Sequence, residues 1–234
     1  MAIAASSGDA VEQERLADML DVARHLGRVA NDLLLLAESG FRSGPVAGAA
    51  ADVAAAARQA AAMFAGVAED RGVVLTVDAD APAIAAGDEG ELRRVIGNLL
   101  DNAIRFTGTG GSVALRVARD PAGRHVVAEV RDTGRGIAPG HLPHFFDRFF
   151  KADTARTHSG PVRGGGLGLA ICKSLVEAAG GTIGIESRLG EGTRVFVSLP
   201  TAQATETPRS SQSPGSPQPA AALSAVNWSS APRA

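Results

Sequence analysis

The chain has 234 residues, enough for one full domain with extensions but not for two large ones. Its 23 basic and 25 acidic residues leave a formal net charge of −2, which excludes the strongly basic profile of a nucleic-acid binder or a polybasic membrane-surface protein. The single Cys172 rules out a disulfide framework, no apolar run approaches the ~20 residues of a membrane span, and residues 1–10 lack a signal-peptide pattern, so a soluble, cytoplasmic protein is expected.

Residues 1–10 read as a disordered start. The first periodic element covers residues 11–38, where Leu16, Met19, Ala23, Leu26, Ala30, Leu33 and Ala37 alternate spacings of three and four. That heptad stripe suits a coiled coil or one arm of a helical hairpin. A Gly- and Pro-containing linker, 39–45, stops it. An Ala-rich helix follows over about 46–70, with Val53, Ala57, Ala60, Phe64 and Val67 on its expected core face. Gly72 ends it, and 73–77 reads as a short strand.

The next helix has a clear start. Asp88 can cap it, and Glu91 three residues on completes a capping-box pattern. Leu92, Val95, Ile96, Leu99, Leu100 and Ala103 share one apolar arc, with Glu91, Asn98, Asn102 and Arg105 on an adjacent polar strip. Gly108 to Gly111 terminates it. Residues 112–118 and 125–131 form an expected hairpin. A loop over about 134–165 leads to a helix at 167–179, then to strands near 182–187 and 193–199. From 201 to 234, Ser, Pro, Ala, Thr and Gln dominate, which reads as a disordered tail.

Three segments carry chemistry. Asn98 and Asn102 lie four apart and project from one helical face. They fit either solvent-facing amides or a pair holding a hydrated cation or phosphate oxygens, the latter favoured by the poor fit of Asn in mid-helix. Asp132-Thr133-Gly134-Arg135-Gly136 follows a strand directly. It is either ordinary turn chemistry or a carboxylate accepting from the exocyclic amine of adenine. Gly164 to Ala170 opens a helix, the usual way to present backbone N–H groups to phosphate. It is not a P-loop, because Cys172 precedes Lys173-Ser174, and not a Rossmann turn, because Ile171 stands where the third glycine belongs. His141 and His144 beside Phe145, Phe146, Phe149 and Phe150 read as a hydrophobic anchor for a loop rather than a metal site.

In this order the segments resemble the ATP-binding catalytic domain of bacterial sensor histidine kinases, in the Bergerat-type (GHKL) ATPase superfamily. Asn98 to Thr107 resembles the N box, Asp132 to Ile137 the first glycine box and Phe146 to Phe150 the F box. Gly164 to Ala170 resembles the second glycine box, and Gly190 to Thr193 the closing turn. The resemblance implies an α/β two-layer sandwich, with a mixed, mainly antiparallel sheet, helices on one face and a preceding helical arm. It also implies an ATP-binding domain over 46–200 and the cofactors ATP and Mg²⁺. Asn102 would hold the metal, Asn98 would help place metal and phosphates, and Arg105 would face phosphate where the family usually has Lys. Phe106 replaces the usual Tyr beside adenine. Asp132 would accept from adenine N6, with Gly134, Gly136 and Ile137 shaping that wall and Thr193 closing it. Lys151 would reach the γ-phosphate, residues 152–163 would form a lid, and Gly164, Gly165, Gly166, Leu167 and Gly168 would line the phosphates.

Hydrolytic relatives place a water-activating Glu four residues before the metal Asn. Here that position is Asn98, which cannot act as a general base, and phosphoryl transfer to a protein is favoured over hydrolysis. Residues 11–38 resemble the second helix of the family's dimerisation and phosphoacceptor hairpin, which implies dimerisation through them. The hairpin's first helix and its histidine box have no counterpart: none of His25, His125, His141, His144 or His158 precedes an acidic residue. The expected function is therefore a histidine kinase domain acting on a phosphoacceptor hairpin or full-length sensor kinase, with a response regulator as an indirect partner. Self-phosphorylation by the isolated chain is not expected. The alternatives are a non-catalytic dimerising or inhibitory module and a serine-kinase relative of the same superfamily.

Overall fold

Alternating branched apolar residues make the central strands, and the face they present decides where the helices lie. The computed structural model describes residues 49–150 and 166–202, together with the isolated helical positions Met19 and Gly27. The expected start 1–10, the rest of the arm 11–38, the linker 39–45, Lys151, the lid 152–163, Gly164, Gly165 and the tail beyond Ala202 lie outside the described residues.

The described elements run β1 (Ala50–Asp52), α1 (Val53–Asp70), β2 (Val74–Asp78), β3 (Ile84–Ala86), α2 (Glu89–Phe106), β4 (Ser112–Arg119), β5 (His125–Asp132), a 3-10 turn (Pro139–His144), α3 (Gly168–Ala178), β6 (Thr182–Arg188) and β7 (Gly192–Pro200). Five strands form one sheet in the order β2-β4-β5-β7-β6. Only β2 and β4 run parallel; the remaining pairs are antiparallel. The last strand in sequence, β7, therefore lies inside the sheet, between β5 and β6.

Strand parity separates the two faces. Val113, Leu115 and Val117 of β4, Val126, Ala128 and Val130 of β5, and Val195, Val197 and Leu199 of β7 share one core with the three helices. The three described helices thus cover one face, as expected for the two-layer sandwich. Burying each large side chain, such as Leu100 or Ile171, contributes roughly 1.5–3 kcal/mol relative to leaving it in water. The opposite face carries Val127 and Phe196 packed together. Beside them Arg194 bridges Glu129 at 2.7 Å and Glu186 at 2.9 Å, tying β5, β7 and β6.

Four local features differ from the sequence expectation. Strands β1 and β3 pair with each other in a small antiparallel ribbon too short to show an alternating pattern. Helix α1 starts at Val53 rather than about 46, because Asp52 caps it by accepting from the Ala54 N–H at 3.0 Å. Val67 is not a core residue: it is 43% exposed, whereas Val53, Ala57 and Ala60 are buried. Thr201 is buried and bridges Ala85, so the folded body extends past 200 by using the end of β7 to reach β3.

Candidate functional site

Helix α2 aims the first set of polar side chains. Asp88 fixes its start by accepting from the Glu91 N–H at 3.0 Å, and its apolar arc is buried from Leu92 to Ile104. That phase leaves Asn98, Asn102 and Arg105 half-buried along the rim of the core. Asn98 Nδ2 donates to the Gly168 carbonyl at 3.3 Å and contacts Cys172 Sγ at 3.7 Å, so it ties α2 to the start of α3. Asn98 Oδ1 and the Asn102 amide have no hydrogen bond among the described residues. Arg105 pairs with Asp101 one turn back at 3.5 Å.

Strand β5 delivers Asp132 on the helix-facing side, in phase with Val126, Ala128 and Val130. Its Oδ1 accepts from the Gly134 N–H at 2.8 Å and from the Thr193 N–H at 3.2 Å. The residue is only 8% exposed. Burial raises its pKa above the usual carboxylate value, and the two N–H bonds only partly oppose that shift. Asp132 Oδ2 takes no donor from the described residues. A buried carboxylate with one oxygen satisfied and the other open is an acceptor waiting for a ligand's N–H.

Glycines hold this acceptor by close approach. A Cβ on Gly134 would collide with the Phe106 carbonyl oxygen, and one on Gly192 (φ 111°) with the Asp132 carbonyl oxygen. Ser187 locks the back of the loop. It accepts from the Ile137 N–H at 2.9 Å, donates to the Gly192 carbonyl at 2.8 Å and lies 3.0 Å from Thr193 Oγ1. Sequence reasoning missed Ser187, because an isolated serine near the end of a strand carries no motif.

Helix α3 supplies a third wall. It begins at Gly168 after the buried Leu167, and no side chain caps its N-terminus. Its first N–H groups are thus available to an anion. Upstream, the Phe149 N–H donates to the Gly166 carbonyl at 2.9 Å. His141 and His144 lie 5.8 and 5.9 Å from the Phe150 ring, and His144 Nδ1 is 2.8 Å from Asp147 Oδ2. They pack the loop, as a hydrophobic anchor should. An adjoining cleft is lined by Arg105, Phe106, Thr107, Gly108, Thr133, Gly134 and Arg135, but not by Asn98, Asn102 or Asp132.

Residues 87–203 match the family described as "Histidine kinase-, DNA gyrase B-, and HSP90-like ATPase". The chain belongs to that family. Among the curated members, "Sensor protein SrrB" of Staphylococcus aureus is 36% identical over 188 residues, covering 80% of this chain and 32% of SrrB. The chain thus spans about a third of the length of such relatives. Among solved structures of the ATPase family, full-length ShkA in complex with AMPPNP aligns with a TM-score of 0.67 at 28% identity, covering 80% of this chain and 38% of ShkA. A mycobacterial sensor histidine kinase, MprB, aligns at 0.55 and 30% identity over 64% of this chain and 97% of that structure.

The ATPase fold brings Asn98 against Gly168, and joins Phe106, Asp132, Gly134 and Thr193 in a second group to which Ile137 is tied through Ser187. Lys151, Gly164 and Gly165 fall outside the described residues. Among the described residues no helix is long and apolar enough to cross a membrane.

Proposed function

We propose that this chain is the ATP-binding catalytic part of a two-component sensor histidine kinase, transferring the γ-phosphoryl group to a histidine on another polypeptide. The observation that carries the reading is Asp132: a buried carboxylate with Oδ1 satisfied by two backbone N–H groups and Oδ2 left for a donor, matching the exocyclic amine of adenine. The family match and the similarity to proteins named as sensor kinases support it, as does the AMPPNP complex of ShkA.

The residues present suit Mg-ATP. Asn102 and Asn98 offer neutral carbonyl oxygens without protein partners, which fits Mg²⁺ that keeps waters and binds through substrate phosphates. When bound, the ion neutralises charge developing on the β- and γ-phosphate oxygens. Arg105 would neutralise phosphate charge, Lys151 is assigned the same role by the resemblance alone, and the N–H groups at the start of α3, after Gly166 and Gly168, would cradle the phosphates. Phe106 packs the base, with Gly134, Gly136, Ile137 and Thr193 holding the loop around Asp132. Asn98 points its amide nitrogen at the Gly168 carbonyl and Cys172, which leaves no general base for water there. Positioning and charge neutralisation then do the work, and transfer to a protein is favoured over hydrolysis.

In this reading the catalytic domain covers about 46 through Thr201, follows a dimerising arm at 11–38, works in the cytoplasm and feeds a response regulator indirectly. Met19, on the heptad stripe, is 69% exposed, which favours a partner helix and keeps a dimerising, inhibitory module as the second reading. The deciding experiment mixes the chain with a separate phosphoacceptor hairpin, Mg²⁺ and labelled ATP. Acid-labile, base-stable label on the hairpin supports the kinase. Serine phosphate favours the serine-kinase relatives, and inhibition of a full-length kinase without label transfer favours the inhibitory module.

A further inference from the structure

Between the two glycines of the Asp132 loop stands Arg135, whose backbone is held on both sides. Its N–H donates to the Phe106 carbonyl at 3.3 Å, and its carbonyl accepts from the Gly190 N–H at 2.7 Å. Neither neighbour can shift to carry a side chain. A Cβ on Gly134 would strike the Phe106 carbonyl, and one on Gly136 (φ 66°) the Arg188 carbonyl. The Arg135 side chain is the only one in this tripeptide, and it rises from a fixed base.

Its guanidinium lies over the Phe106 ring, 4.6 Å from the ring centroid. Among the described residues no carboxylate pairs with Arg135. Phe106 in turn belongs to neither apolar cluster, and it is 39% exposed at the last position of α2. A phenyl ring so placed has no core packing to fix its rotamer, and the cation–π contact supplies that restraint.

We propose that Arg135 is a positioning residue for the nucleotide base: it clamps one face of Phe106 so that the ring is set for the base before the nucleotide arrives. This deepens the proposed function and rests on its placement of Phe106 beside adenine. A base meeting a preset ring pays less to order it, so the clamp acts on the base and not on the phosphates.

The test measures binding of Mg-ADP, Mg-ATP and adenosine by calorimetry to the wild-type chain, Arg135→Ala, Arg135→Lys, Phe106→Leu and the Arg135→Ala/Phe106→Leu pair. The expected result is a weakening of about two- to sixfold in Arg135→Ala, the range of a cation–π contact at an exposed site. The factor should be the same for all three ligands, partly restored in Arg135→Lys, and absent when Arg135→Ala is made on Phe106→Leu. Melting temperatures near wild type keep the variants comparable, since neither side chain is in the core. Three outcomes overturn the proposal. Unchanged affinity removes the clamp. Tighter binding makes Arg135 an obstruction. A loss that grows from adenosine to ATP and fades with salt makes it a charge acting on phosphate. If the wild-type chain binds none of the three ligands, the kinase reading itself fails, which is a separate result.

Discussion

Replacing Asp132 by Asn probes the acceptor with almost no change of shape. In the native chain both carboxylate oxygens are able to accept: Oδ1 takes the Gly134 and Thr193 N–H groups at 2.8 and 3.2 Å, and Oδ2 is open, in the proposed reading for the base. An Asn amide has one acceptor. With its oxygen kept toward the two backbone donors, its NH₂ meets the adenine amine, donor against donor. With the amide flipped, the base is accepted but two buried N–H groups lose their partner. Either way a hydrogen bond to a charged acceptor is lost, about 1.5–3 kcal/mol, or roughly ten- to a hundredfold in Kd for Mg-ATP. Stability should move the other way. Burial raises the Asp132 pKa, so the folded chain holds this proton more tightly than the unfolded chain does. Between the unfolded value and the raised folded value, rising pH therefore costs stability, while it improves nucleotide binding by deprotonating the acceptor. Asp132→Asn should abolish both trends and melt no lower than wild type above that window. Calorimetric titration and melting across pH 4–8 read both. Retained wild-type affinity in Asp132→Asn would refute the assignment of Asp132 as base acceptor.

Three further outcomes are expected. Arg194→Met strands the 4%-exposed Glu129 as an unpaired buried charge and should cost about 3–5 kcal/mol in urea unfolding; a loss under 1 kcal/mol would show that the pair is not a clamp. Gly192→Ala must push its Cβ into the Asp132 carbonyl from a φ of 111°, so both melting temperature and Mg-ATP affinity should fall, whereas Gly123→Ala in an open turn should lower only stability. Asn98→Glu loses the bond to the Gly168 carbonyl and turns a carboxylate toward it, which should cost about 1–3 kcal/mol of stability, while restoring a general base that should raise ATP hydrolysis. Phosphate release no higher than wild type in a folded variant that still binds Mg-ATP would overturn that account of Asn98.

Local signals in the sequence carried the long elements. The Asp88 cap, the apolar arc of α2 and the alternation in residues 112–131 each have one physical cause, and each appears where that cause places it. The start of α3 was legible for the same reason, since Gly166 and Gly168 stand directly before an apolar helical run. The short ribbon of β1 and β3 was not legible, because three-residue strands leave no period. Val67 failed because the buried arc near the C-terminal end of α1 passes through Ala68, which leaves the neighbouring Val67 off that arc. Ser187 and the Arg135–Phe106 stack are products of tertiary approach. Residues 50 or 29 positions apart meet there, and nothing local announces them.

The interior position of β7 has a consequence for how the protein comes into being. A ribosome makes β5 and its Asp132 long before β7, and β6 has no neighbour in the sheet until β7 arrives between them. The Thr193 N–H that holds Asp132 Oδ1 is carried by that same late strand. Nascent chains stalled before it thus present two unpaired strand edges and an unset acceptor. The Asp132 loop is complete only once β7 has been made, and a stop before residue 193 yields a chain that lacks it rather than one in which it is weakened.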